Sequence, residues 1–277
     1  MANSQKAAPA KKQGFQGVRA AIWIIVLCFI AGVCFYQFVL GNPSNFQGGD
    51  NANAPLPGNL LGTIYKGGIV VPVIITLLFT AIALSVERSL ALGTANGKGK
   101  LAKFVADIKA ALAAGDIAKA EQLCNKQQGV VGNVVMASLK TYKEMESTSG
   151  IKKEQKVSKI QQAHEEAVQL EMPTLQMNMP ILATLVTLGT LTALFGTVVG
   201  MIKSFAALAA GGGGDSLELS TGISEALVNT ASGILTSWVA VVAYNFYSNK
   251  IDKLTYALDE VGYTISKTYE ANHAEEA

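Results

Sequence analysis

Four stretches of this chain run for twenty or more positions without a charged residue: Ala20–Gly49, Gly67–Val86, Met172–Ile202 and Ala226–Asn249. A helix rises about 1.5 Å per residue, so each can cross a hydrocarbon layer about 30 Å thick. Core helices of water-soluble domains interleave apolar and polar faces, and these stretches lack that interleaving. Half of all residues are hydrophobic (50%) and 15% are charged, with the charges gathered between the blocks. The pattern specifies an all-α, polytopic membrane protein with long helices extending into the cytoplasm. The expected layout is an N-terminal part at 1–66, with a tail, a first span at about 21–40 and an outer loop. A second span follows at 67–88, a helical region at 89–171, two further spans at 172–249, and a C-terminal tail at 250–277.

Basic residues set the expected orientation. The N-terminal tail has Lys6, Lys11, Lys12 and Arg19 and no acidic residue, and the segment Arg88–Glu171 has thirteen lysines and arginines. Between the first two spans there is only Lys66, and Ser204–Ser220 has none. The positive-inside bias therefore predicts that both termini and the middle segment are cytoplasmic. The first block has an apolar core of about twenty residues, Ala21–Leu40, longer than the apolar part of a secretion signal, so it reads as a retained helix. Gly32, Tyr36 and Phe38 fit a span ending in an aromatic interfacial anchor.

One carboxylate lies against the fourth block. Thr221, Glu225, Asn229, Ser232 and Thr236 follow one another at steps of four, four, three and four, which sets them in one polar stripe along a helix. A charge in lipid is costly, so Glu225 either snorkels to the interface or faces protein or water. The third block is unusually rich in hydroxyls and small residues. Thr187, Thr190, Leu194, Thr197 and Met201 share a face, and Gly196-Thr-Val-Val-Gly200 is a small-xxx-small motif that admits a close neighbouring backbone.

The middle segment reads as helices. Leu101, Phe104, Val105, Ile108 and Leu112 recur at helical spacing, and Gly115-Asp116 breaks the run. Asp116 is positioned to cap a helix carrying Ile117, Ala120, Leu123 and Cys124. From Ile151 onward, Val157, Ile160, Ala163, Ala167 and Leu170 predict a helix running straight into the third span as one rod, with Pro173 and Pro180 as bends. His164 on that rod reads as a solvated or interhelical residue. The residues 1–16 read as a disordered polar tail, Gly41–Gly62 as an irregular outer loop, and Gly211–Gly214 as a flexible outer link.

Two sequences carry a family resemblance. Leu194-Phe-Gly-Thr197-Val-Val-Gly200-Met-Ile and Gly222-Ile-Ser-Glu225-Ala-Leu-Val-Asn-Thr230-Ala-Ser-Gly resemble the ExbB/TolQ/MotA family of proton-channel subunits, closest to ExbB. The Glu87-Arg88 pair and the turn Gly115-Asp-Ile-Ala-Lys-Ala-Glu extend the resemblance over about Gly67 to Lys250, and the helix Ala21–Leu40 is extra to many members. The resemblance implies a ring-forming homo-oligomer of five copies in the bacterial inner membrane. The ring would surround an ExbD-like single-span protein and work with a TonB-like protein, using the proton motive force to drive outer-membrane import. It implies that the last two spans line the channel, with Thr197, Thr230 and Glu225 on the ion pathway. Thr190, Thr221, Asn229, Ser232 and Thr236 would form a pore or interhelical polar face. The stripe itself leaves Thr230 about 140° from Glu225, so Thr230 faces either the pore or a neighbouring subunit.

Other classes fit less well. There is no arrangement of nucleophile and base, no phosphate-binding loop and no metal-ligand spacing among Cys28, Cys34, Cys124, His164 and His273, so neither an enzyme nor a cofactor is expected. The net charge of +2, with basic and acidic residues mixed, gives no nucleic-acid footprint. A TolQ-like or MotA-like stator serving envelope maintenance or motility, and a structural membrane scaffold, are the alternatives.

Overall fold

A computed structural model describes residue 17, residues 21–210 and residues 216–273. The polar tail at 1–16 and the glycine link at 211–214 lie outside the described residues, as do the last four residues. Among the described residues the elements are helices and there is no strand, so the all-α reading stands. They are α1 (Ala21–Cys34), α2 (Leu60–Tyr65), α3 (Val71–Asn96), α4 (Leu101–Ala113), α5 (Ile117–Gln127), α6 (Gly129–Ser147), α7 (Lys153–Gln176), α8 (Met179–Ala210) and α9 (Ser216–Asn272). Among the described residues, four helices are long and apolar enough to cross a membrane. The protein is a multi-pass membrane protein.

The chain divides into two compact units, one from Val18–Glu87 with Asn178–Tyr247, the other from Arg88–Met177 with Ser248–Ala277. In the first unit, apolar side chains cover much of the outside: Leu191, Phe195, Val198, Ile202, Leu227, Trp238, Val242 and Phe246 are all exposed. Lipid tails are as apolar as leucine, so burying these residues inside the unit would bring no hydrophobic gain. Inside the unit, apolar and aromatic side chains pack on one another. Leu40, Val71 and Ile75 form a buried cluster with Phe35, Tyr36, Ile64, Tyr65, Phe79 and Val228 against it.

The loop between the first two spans is more ordered than its Asn, Gly and Pro content predicts. Asn42 accepts from the Ser44 amide at 3.0 Å, and Asn59 caps α2 by accepting from the Gly62 amide at 3.0 Å. Asn45, buried, donates to the Val39 and Leu40 carbonyls at 2.9 and 3.0 Å. Short amide side chains here replace the missing backbone partners of a loop. Tyr36 is not a free interfacial anchor. It stacks on Tyr65 with ring centroids 4.6 Å apart and donates to the Tyr65 carbonyl at 3.1 Å, while Phe38 is exposed.

The second unit is a soluble-type bundle with the expected stripes. Phe104, Val105, Ile108 and Leu112 are buried, and Asp116 caps α5 by accepting from the Lys119 amide at 2.8 Å. His164 is interhelical and buried, with Nδ1 2.8 Å from the Ser138 hydroxyl of α6. Cys124 is buried in the same core, and burial pushes its thiol up to about 12. Glu87 and Arg88 are both buried. Within the second unit the Arg88 guanidinium reaches towards the Leu175 carbonyl at 3.4 Å, and within the first Glu87 accepts from Asn178 at 3.3 Å.

One expectation is corrected. The rod expected from Ile151 into the third span is broken: α7 ends at Gln176 and α8 begins at Met179. Asn178 adopts φ +63°, a left-handed conformation that asparagine tolerates better than most residues, and Pro180 restarts the helix in its first turn. Pro173, by contrast, sits inside α7 without ending it. At the C-terminal part, α9 continues as a helix through 250–272. Ile251, Leu254, Leu258, Val261, Ile265 and Tyr269 recur at three- to four-residue steps and are buried, and Tyr269 donates to the Met145 carbonyl at 3.1 Å.

Candidate functional site on the α8–α9 hairpin

Small residues bring α8 and α9 together. A Cβ added to Gly200 would lie 2.8 Å from the Gly222 carbonyl oxygen and 2.9 Å from the Ala226 nitrogen. One added to Gly196 would lie 2.7 Å from Asn229 Cβ. Both glycines of the small-xxx-small motif are thus in backbone-distance contact with α9, the close approach that the motif permits. Ser204 opposite Gly222, Gly200 opposite Ala226, Ala193 opposite Gly233 and Gly189 opposite Ser237 step down one helix as they step up the other. That antiparallel register decides which polar side chains meet.

Glu225 is 5% exposed, and its carboxylate has a cation. Lys203 Nζ donates to Oε1 at 2.7 Å and to Oε2 at 2.9 Å, with the lysine side chain half-exposed. On the other side the carboxylate rests against Gly68, where an added Cβ would collide with Oε1. Asn229, one turn further along α9 and fully buried, donates to the Gly67 carbonyl at 2.9 Å, and its Oδ1 has no hydrogen-bond partner among the described residues. Glu225 and Asn229 therefore hold the start of the second span against the fourth.

Thr197 and Thr230 meet each other. Their hydroxyls are in direct contact, and each hydroxyl is within reach of a carbonyl of its own helix, Ala193 at 3.0 Å and Ala226 at 2.9 Å. Two protons thus serve three acceptor positions, which leaves oxygen lone pairs open to an incoming donor. One turn pair away, Thr190 Oγ1 lies 2.9 Å from Ser237 Oγ.

The residues singled out in the sequence fall into different places. Glu225, Asn229 and Thr236 are buried, Ser232 is half-buried and Thr221 is exposed. Thr236 donates to the Ser232 carbonyl at 2.9 Å. The structure does not bring Glu225 to the threonine pair: Glu225 meets Lys203 and Gly68, while Thr230 meets Thr197. Sequence reasoning missed Lys203, Ser237 and the Gly67–Gly68 contact. Lys203 carried a signal, because it is the charge that ends the third block and lies across the glycine link from Glu225 in a hairpin.

The family comparison falls on these elements. Residues 127–260, which contain α8, the hydroxyl pairs, Lys203 and Glu225, match the model of the MotA/TolQ/ExbB proton channel family. That stretch belongs to the MotA/TolQ/ExbB family. The Tol-Pal system protein TolQ of Pseudomonas aeruginosa is 30% identical over 124 residues, covering 45% of this chain and 54% of the relative. The Tol-Pal system protein TolQ of Haemophilus influenzae is 29% identical over 136 residues, 48% of this chain and 60% of the relative. A putative biopolymer transport protein, ExbB-like 1, of Synechocystis is 40% identical over 67 residues, 23% of this chain and 26% of the relative. The chain spans little more than half the length of the two TolQ proteins it matches. The MotA/TolQ/ExbB match starts at 127, so Glu87-Arg88 and the Gly115 turn lie outside it.

Proposed function

We propose that this chain is the ring-forming proton-channel subunit of an inner-membrane motor driven by the proton motive force. The observation that carries this reading is the contact between the Thr197 and Thr230 hydroxyls within the matched stretch. A hydroxyl with a spare lone pair accepts a hydrogen bond from a hydronium ion in the path while its own proton passes to the next water or to a partner's carboxylate, so a proton is relayed and the hydroxyl ends neutral. Glu225, its charge balanced by Lys203, orders the helices that carry that path. Five copies surround an ExbD-like single-span protein, and both termini and the helical region at 89–171 face the cytoplasm.

An ExbB-like role, with a TonB-like protein driving outer-membrane import, is the first reading. A TolQ-like role in envelope maintenance is favoured by a separate observation: the two TolQ matches extend over 124 and 136 residues, the ExbB-like one over 67. Deletion separates them, since loss of import at an intact envelope points to the first and detergent sensitivity with normal import to the second. The channel itself is tested by purifying the complex from native membranes on a tag on this chain and reconstituting it in liposomes. Proton flux should follow an imposed potential and fall in Thr197→Val. No flux from the intact complex, or equal flux from the variant, would remove the channel reading.

A further inference from the structure

The hydroxyl pair at Thr197 and Thr230 is repeated. Seven residues before Thr197 stands Thr190, and seven residues after Thr230 stands Ser237, with Oγ1 and Oγ 2.9 Å apart. Seven residues turn a helix by about 700°, so the second pair lies within about 20° of the first on each helix and about 10.5 Å along it. The two pairs thus share one stripe of the hairpin.

The second pair has a defined proton inventory. Ser237 Oγ donates to the Val186 carbonyl at 2.8 Å, whereas Thr190 is 3.4 Å from that same carbonyl and closer to Ser237. The favoured arrangement sends the Ser237 proton to Val186 and the Thr190 proton to Ser237, which leaves both lone pairs of the Thr190 oxygen free. Thr190 is exposed on the unit and Ser237 half-buried, so this oxygen is reachable from the surface of the hairpin. Between the pairs on the same stripe stand Leu194 and Ile234, 60% and 56% exposed. They make an apolar step too long for a direct hop between hydroxyls, so protons cross it through water or a partner side chain.

We infer that Thr190 and Ser237 form a second hydroxyl rung of the proton path, on the far side of an apolar step from Thr197 and Thr230. This rests on the channel reading above. The alternative is a hydrogen bond that only ties α8 to α9.

The test uses the tagged complex reconstituted in liposomes, with flux normalised to assembled rings. Thr190→Val keeps the shape of the side chain and the Ser237–Val186 bond, and should lower flux roughly tenfold at unchanged ring abundance. Ser237→Ala should do the same and Ser237→Thr should restore it. The ratio of flux in H2O to that in D2O should change in the Val and Ala variants, which a simple tie between helices would not produce. Thr184→Val is the control, since the exposed Thr184 hydroxyl bonds its own Pro180 carbonyl at 2.8 Å, and it should leave flux unchanged. If Thr197→Val lowers flux while Thr190→Val and Ser237→Ala do not, the rung is overturned and the channel reading survives. Unchanged flux in all three overturns both.

Discussion

Lys203 and Glu225 form an ion pair across the α8–α9 hairpin, in which one ammonium donates to both carboxylate oxygens at 2.7 and 2.9 Å. The carboxylate is buried and the ammonium is half-exposed, so the two ends of the pair meet different solvents. Removing the lysine leaves a buried charge without its cation. Lys203→Met should destabilise the assembled protein by about 1–3 kcal/mol and lower flux. Glu225→Gln in the same background should recover stability, because an amide tolerates burial better than an unpaired carboxylate. Thermal unfolding in mild detergent checks both, and a Lys203→Met protein as stable as the parent would show that the pair carries no net weight.

Glu225 and the threonines should also separate by function. Thr197→Val and Thr230→Val keep volume while removing the hydroxyls that touch, so flux should fall at normal ring abundance. Glu225→Ala should lose assembly as well as flux, since it empties the contact with Gly68 and strands Lys203. Native mass spectrometry reads assembly, with five subunits expected, and liposome flux reads the path. A Glu225→Ala ring that assembles normally would mean that the charge has no structural role.

Gly68 is the position where backbone and packing agree on one residue. It adopts φ +79°, and an added Cβ would strike Glu225 Oε1. Gly68→Ala should destabilise the membrane unit by about 1–3 kcal/mol, combining left-handed strain with displacement of the carboxylate. Gly58 is a matched control, because it has φ +79° with nothing within 4 Å of its Cβ position. An equal loss in both variants would show that strain alone acts at Gly68.

Cysteine labelling tests the topology. Ser44 and Ser147 are both exposed, so Ser44→Cys should react with an impermeant maleimide on whole cells and Ser147→Cys only after permeabilisation. Cys28, Cys34 and Cys124 are replaced first, because Cys34 is free and exposed and would react itself. Reaction of Ser147→Cys from outside would reverse the orientation.

The sequence alone determined the membrane class and the four spans, because a twenty-residue uncharged run has no other stable use in a helix. It also located the bundle stripes and the Asp116 cap, where periodicity and a short carboxylate act within one or two turns. It marked Glu225 as a charge that needs a partner. Only the tertiary structure decided which partner. The register of α8 against α9 is set by close contacts of Gly189, Gly196, Gly200, Gly222 and Gly233, and it places Lys203 beside Glu225, Thr197 beside Thr230 and Thr190 beside Ser237. The stripe Thr221–Thr236 was legible as a line on one helix, but a line does not say what lies opposite each point. The break at Met177–Asn178 and the helical run to Asn272 were hidden for the same reason. A left-handed asparagine and an apolar stripe behind a charged start are settled by their neighbours, and those neighbours are distant in the chain.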